Sequence, residues 1–162
     1  MKQFLHRGTL IMANLIEESD VSIVNLSLQL ENSVIRHALL DDESIYVTED
    51  GYFPFWIKVC QNKGFVVFVT YTYFRKKADL LQRLEIVNDF NKSSFMVTAY
   101  ADDDTCKFDH ELIFRDGLLT ETFVRGCRHF SRNVERAIHR FDPGHQIIRP
   151  LGETESDDLQ EK

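Results

Sequence analysis

Two apolar segments, residues 53–60 and 65–74, constrain the fold of this chain most, because only the four residues QNKG separate them. Both segments are rich in aromatic and β-branched side chains, which favour extended structure. The glycine that ends the linker suits the left-handed position of a tight turn. The pattern therefore predicts an antiparallel β-hairpin, and with it a sheet.

The faces of this hairpin follow from its register. With Gly64 at a left-handed bulge position, Gln61 would pair with Phe65. One face would then be apolar throughout and belong to the core. The other face mixes polar and apolar side chains and would place Trp56 near Phe68. Such a difference between faces is typical of an antiparallel sheet that is covered on one side only.

The other segments predict three helices and three more strands. Residues 26–40 fit two patterns, an alternation typical of a strand and a spacing typical of a helix, and their length favours a helix. Residues 106–115 alternate apolar and polar side chains over their whole length and predict a half-buried strand. The remaining predicted elements are a strand over 44–48, a helix over 78–92, a strand over 95–101, and a helix from an N-cap at Thr120 to a stop at Pro143 and Gly144.

This order, α-β-β-β-α-β-β-α, predicts an α+β fold with an antiparallel sheet and helices mainly on one face. The length of 162 residues is typical of one domain, which we expect over residues 26–142. Residues 1–25 would form an N-terminal extension. Residues 143–162 are polar and acidic and are expected to form a mobile tail.

The motifs of common enzymes are missing from the sequence. It has no glycine-rich phosphate loop, no serine nucleophile elbow and no HExxH pair. Its three cysteines are too widely spaced to predict a zinc site or a disulfide framework. Cys106 and His110 lie on one strand face but are too far apart to share a proton. The acidic turn at 102–104 lacks the glycine and distant glutamate of a calcium loop. We therefore expect no enzyme, no cofactor and no metal site.

Charge and hydropathy exclude two further classes of protein. The formal net charge of −7 disfavours general binding to nucleic acid. No apolar run approaches the roughly 20 residues that span a bilayer, and the N-terminus lacks the cleavage site of a secretory signal. The chain is expected to be cytoplasmic, with neither nucleic acid nor membrane as its partner.

The last predicted helix has a basic stripe opposite its apolar face. Two interpretations remain open: a solvated helix face, or a dock for an acidic or phosphorylated partner, since arginine pairs with carboxylate and phosphate through two hydrogen bonds. The stripe consists of Arg125, Arg128, Arg132, Arg136 and Arg140.

Four further aromatic or apolar positions are candidate contacts. Trp56, the only tryptophan, and Phe68 lie on the less covered face of the predicted hairpin and suit a protein-binding anchor, unless a helix or a second subunit covers them. Ile86 and Phe90 lie away from the main stripe of the second helix. That helix is therefore either deeply buried or in contact with a second molecule.

Three stretches together resemble the YbjN family of bacterial sensory-transduction regulators. They are VTEDGYFPFWIKV at 47–59, LEIVNDFN at 84–91 and FRDGLLTETFVRGCRHFSRNV at 114–134. The resemblance implies a fold like that of type III secretion chaperones and a protein-binding module that is not an enzyme and is usually a homodimer. Ile86 and Phe90 would suit the dimer interface. The resemblance brings no catalytic residues with it.

The sequence thus predicts a cytoplasmic, dimeric regulator or chaperone-like adaptor, in sensory or stress signalling, that binds a protein of unknown identity. Apolar contacts would form on the open sheet face, and the arginine stripe would select for charge. The alternative is a sensor of a small ligand, with a pocket between the sheet and its helices. An enzyme of unrecognised type is a third hypothesis, for which no constellation of residues is visible.

Overall fold

A computed structural model describes residues 14–94 and 96–153. Its helices are α1 (Ile23–Asn32), α2 (Leu80–Ser93) and α3 (Thr120–Phe141), and a short 3-10 helix covers Glu18–Asp20. Its strands are β1 (Leu15–Ile16), β2 (His37–Leu40), β3 (Ser44–Val47), β4 (Phe55–Cys60), β5 (Phe65–Tyr73), β6 (Thr98–Asp102), β7 (Thr105–Ile113) and β8 (Leu118–Leu119).

The main sheet is antiparallel and has the strand order β2-β3-β4-β5-β7-β6. All three helices pack on one face of it and enclose a core rich in phenylalanine. Phe130 of α3 contacts Phe55 of β4, and Phe90 of α2 contacts Phe108 of β7, with ring centroids 5.3 and 5.5 Å apart. The predicted α+β class, with helices on one face of an antiparallel sheet, is confirmed.

The predicted helix over 26–40 is correct in its first part and wrong in its second. Helix α1 begins after Ser22, whose hydroxyl accepts a hydrogen bond from the amide of Asn25, and it ends at Asn32. Val34 then takes a left-handed conformation, with φ 57°, and the amide of Ile35 donates to the carbonyl of Leu30. This Schellman-type ending reverses the chain into the edge strand β2.

The predicted hairpin exists, but its register differs by one residue. Cys60, not Gln61, pairs with Phe65, so the loop has four residues. Gly64 has φ 74° as expected, and its amide donates to the carbonyl of Cys60 at 2.9 Å, which closes the longer turn. A shift of one residue moves one strand's side chains to the opposite face. Phe68 consequently points into the core, on the face opposite Trp56.

Helix α3 begins one residue earlier than predicted, with Leu119 as N-cap and Thr120 inside the helix. It ends at Phe141, and the carboxylate of the C-cap residue Asp142 accepts hydrogen bonds from the amides of Gln146, Ile147 and Ile148 at 2.7, 3.0 and 2.6 Å. Ile148 is buried and pairs with Phe74 in an antiparallel bridge.

Residues 145–149 therefore pack on the domain, whereas the expected mobile tail began at 143. Residues 154–162 of that tail lie outside the described residues. At the other end, β1 pairs with β8, and Ile16 and Val21 are buried. Residues 14–22 of the N-terminal extension thus fold onto the domain. None of the helices within the described ranges is long and apolar enough to cross a membrane.

Candidate binding surfaces

The face of the sheet opposite the helices has a row of stacked aromatic rings. Trp56 of β4 lies beside Tyr46 of β3, with ring centroids 4.7 Å apart, and beside Tyr71 of β5, at 5.5 Å with nearly parallel rings. Tyr71 in turn contacts Tyr73 at 5.8 Å. We call these four residues the aromatic row. No helix in the described part of the chain covers them, and 44% of Tyr73 is exposed.

The alternation of β4 and β5 is what places the row there. Phe55 and Ile57 face the core, so Trp56 between them faces the opposite side. Trp56 pairs directly with Val69, which brings Tyr71, two residues further along β5, into the diagonal position that long side chains reach. The burial of Tyr71, together with the nearby Tyr73, raises the pKa of its hydroxyl. Tyr71 therefore stays neutral at physiological pH.

Charges of both signs border the aromatic row. Lys58 pairs with Asp42 at 3.3 Å, and Lys107 pairs with Asp102. Asp109 lies on the same face, and burial raises the pKa of its carboxyl, with the nearby Glu111 adding to the effect. An apolar centre with a mixed polar rim is the ordinary anatomy of a protein-binding surface.

Phe68 is not part of this surface. Its side chain has no exposed area and lies among Phe55, Phe123 and Phe130. The prediction that Trp56 and Phe68 form one contact surface is therefore wrong for Phe68, because the hairpin register places it in the core. The neighbours that Trp56 does have, Tyr46 and Tyr71, were not identified from the sequence, since Tyr71 depends on the hairpin register and Tyr46 on the pairing of β3 with β4.

The arginine stripe lies on the exposed side of α3, as the helical spacing predicts. Arg125 pairs with Glu121 at 2.5 Å, and Arg140 lies over the ring of Phe141. Arg128, Arg132 and Arg136 have no acidic partner among the described residues. Their guanidinium groups are available to an external anion.

The stripe and the aromatic row lie on opposite sides of the molecule. Helix α3 packs its apolar face on the core face of the sheet, its arginines point away from the sheet, and Trp56 points away from the helices. The arginine stripe and the aromatic row are separated by the packing distance between sheet and helix and by the diameter of the helix, each about 10 Å. One short peptide therefore cannot contact both, and they are two distinct surfaces.

Helix α2 has the orientation opposite to the one expected for a dimer interface through Ile86 and Phe90. Only 4% and 1% of these two side chains is exposed, and they belong to the core. The exposed apolar side of α2 is formed instead by Leu80, Leu81 and Leu84, of which Leu81 is 64% exposed. Of the two interpretations left open by the sequence, deep burial is correct for Ile86 and Phe90.

Burial shifts the pKa values of three candidate catalytic groups among the described residues. Burial raises the pKa of the Cys106 and Cys127 thiols far above the usual range, which leaves neither as a thiolate nucleophile. Burial also lowers the pKa of the His110 imidazole, whose ring stacks on Phe68. Within residues 14–94 and 96–153, no group of three histidine, cysteine or acidic side chains is placed to hold a metal ion.

Comparison with known proteins gives one family and one fold. A family model named YbjN, described as "Putative bacterial sensory transduction regulator", matches residues 23–143. The crystal structure of YbjN from E. coli, described as "a putative transcription regulator", superposes with a TM-score of 0.66 at 19% sequence identity. The superposition covers 80% of this chain and 96% of that one. A search of curated proteins finds no match.

Proposed function

The chain belongs to the YbjN family, described as sensory transduction regulators, and from this we propose that it is a regulator or chaperone-like adaptor that binds another protein and catalyses no reaction. The observation that supports protein binding is the aromatic row, a stacked and partly exposed set of rings on a sheet face that none of the described helices covers. Tryptophan and tyrosine are the residues most enriched where binding energy concentrates.

The row is suited to this role because it is rigid before a partner arrives. Trp56 is held between two rings, so binding does not have to immobilise a free side chain. A partner would bury its own apolar side chains against these rings, while the charges at the rim would fix its orientation. The arginine stripe, on the other side, would be a separate contact for an acidic partner.

A homodimer and a cytoplasmic location are part of the same proposal. The exposed leucines of α2 offer an apolar surface for a second copy of the chain. All three cysteines are free, which agrees with a reducing compartment.

The experiment is a pull-down with the tagged full chain, followed by calorimetry with the purified partner. Trp56→Ala should weaken binding about 30-fold, the effect of losing an anchor of roughly 2 kcal/mol, and should leave the helix content measured by circular dichroism unchanged. The paired variant Arg132→Glu with Arg136→Glu tests the other surface. A partner that Trp56→Ala retains and the arginine reversals lose would move the binding site to α3 and refute the role of the row.

A further inference from the structure

A cavity of about 570 Å³ lies between the second half of α3 and the C-terminal segment, residues 145–151. Cavities of this size are typical of small-molecule sites. One wall is apolar and includes Phe53, Ile138, Pro150 and Leu151. The segment that closes the cavity lies beyond residues 23–143, the range that the family model matches.

The polar side chains of the lining are mostly basic. Arg136 and His139 come from α3, and His145 and Arg149 from the segment, against a single acidic residue, Glu135. Arg136 has no acidic partner among the described residues. Arg149 is almost fully buried, and its guanidinium lies 5.3 Å from the ring centroid of Tyr73. The cavity therefore combines an apolar wall with the exposed guanidinium group of Arg136.

His145 gives a second indication of a ligand. It adopts a left-handed conformation, φ 50°, which is uncommon for residues other than glycine. Its amide donates to the Asp142 carbonyl, and its own carbonyl accepts from Arg75, so the conformation is held in place. Its Nδ1 is enclosed and has no hydrogen-bond partner within the described ranges. A buried polar atom in a native protein usually has a hydrogen-bond partner, which can be an ordered water or a ligand.

We propose that this cavity binds a small amphipathic carboxylate. The carboxylate would pair with Arg136, and the apolar body would lie against Pro150 and Leu151. Glu135 in the same lining disfavours a doubly charged group such as phosphate. The chain's own end, residues 154–162, matches the charge but not the apolar wall, since its only apolar residue is Leu159.

The test is calorimetry of the full-length chain with octanoate, and with octanol and octylammonium as neutral and cationic probes of the same length. Octanoate should bind, and Arg136→Ala should weaken it about tenfold, as expected for one charged hydrogen-bonded pair. Arg128→Ala is the matched control, because Arg128 lies two turns earlier on the same exposed stripe and does not line the cavity. Leu151→Ser, a change at an exposed position, should weaken octanoate through the apolar wall alone.

Four results would overturn the proposal. The first is that octanoate does not bind, and the second is that the Arg128 and Arg136 variants lose the same affinity for octanoate. The third is that octylammonium binds as tightly as octanoate. The fourth is that octanoate binds only to a shortened chain that ends at Glu153. The last would identify the acidic end of the chain as the occupant. The site does not depend on protein binding at the aromatic row, so failure here leaves that proposal intact.

Discussion

Replacing Asp142 should release the C-terminal segment from the domain. This carboxylate is 4% exposed and accepts three backbone hydrogen bonds, one at Oδ1 from Gln146 and two at Oδ2 from Ile147 and Ile148. Alanine removes all three acceptor contacts. Asparagine keeps one carbonyl oxygen but turns an amide donor toward one of the donors, so it should behave as an intermediate.

The size of the effect follows from these contacts. A hydrogen bond to a charged group contributes about 1.5 to 3 kcal/mol. Three such bonds give an upper bound well above the free energy needed to detach one segment from the domain. The segment detaches locally before that bound is reached, because its other attachments are the buried Ile148 and the hydrogen bonds and ion pair that it forms with Thr72, Tyr73 and Arg75. We expect the free energy of unfolding to fall by about 3 kcal/mol for Asp142→Ala and by about 1 to 2 kcal/mol for Asp142→Asn.

The assay is urea unfolding followed by circular dichroism and by the fluorescence of Trp56, with hydrogen exchange at the Ile148 amide as a local probe. Asp41→Ala, at an exposed aspartate, should stay within about 0.5 kcal/mol of the wild type. The reasoning is refuted if Asp142→Ala lowers the free energy of unfolding by less than about 1 kcal/mol while the Ile148 amide remains protected from hydrogen exchange.

Two further predictions concern pH and assembly. Burial lowers the pKa of His110 in the folded state, so the unfolded chain takes up a proton first as the pH falls below about 6.5. The free energy of unfolding should therefore decrease from pH 7.5 to 5.5. Urea midpoints should show a smaller decrease for His110→Gln over the same interval. For the proposed dimer, sedimentation equilibrium should find a monomer when Leu81 and Leu84 are both changed to Asp. Phe90→Ala, a change in the core, should instead reduce the free energy of unfolding by about 3 to 5 kcal/mol. A dimer that persists after the leucine changes refutes the proposed interface.

The sheet could be predicted from the sequence because alternation reports directly that one face is covered. It placed β4, β5 and β7, and it placed Trp56 opposite the core. The register could not be predicted. Three- and four-residue hairpin loops both accept a glycine at their last position, and only the backbone bond from Gly64 to Cys60 distinguishes them here. The position of Tyr71 beside Trp56 depends on that register, and the position of Tyr46 depends on the pairing of β3 with β4, so the aromatic row was missed as a set.

The predicted helix boundaries were wrong where the sequence lacks the residues that usually mark a helix end. Val34 occupies the left-handed position that ends α1, where glycine is the common residue, so the helical pattern seemed to continue into β2. The polar composition after Pro143 predicted a tail, although the apolar pair Ile147 and Ile148 was a signal of packing. The arginine stripe followed from helical periodicity alone, but the fact that Arg136 lines a cavity depends on the position of a distant segment.

Strand β5 is the element that connects the two proposed sites. One of its faces contributes Phe68 to the core, and the other contributes Tyr71 and Tyr73 to the aromatic row. Strand β4 pairs with it only as far as Val69, which leaves the same side free further along. The C-terminal segment pairs there through Ile148, and Arg149 lies over Tyr73. Because a sheet edge left open exposes unpaired backbone groups, this pairing completes the sheet and forms the cavity wall in one step. The stability of that wall and the geometry of the aromatic row therefore depend on the same strand.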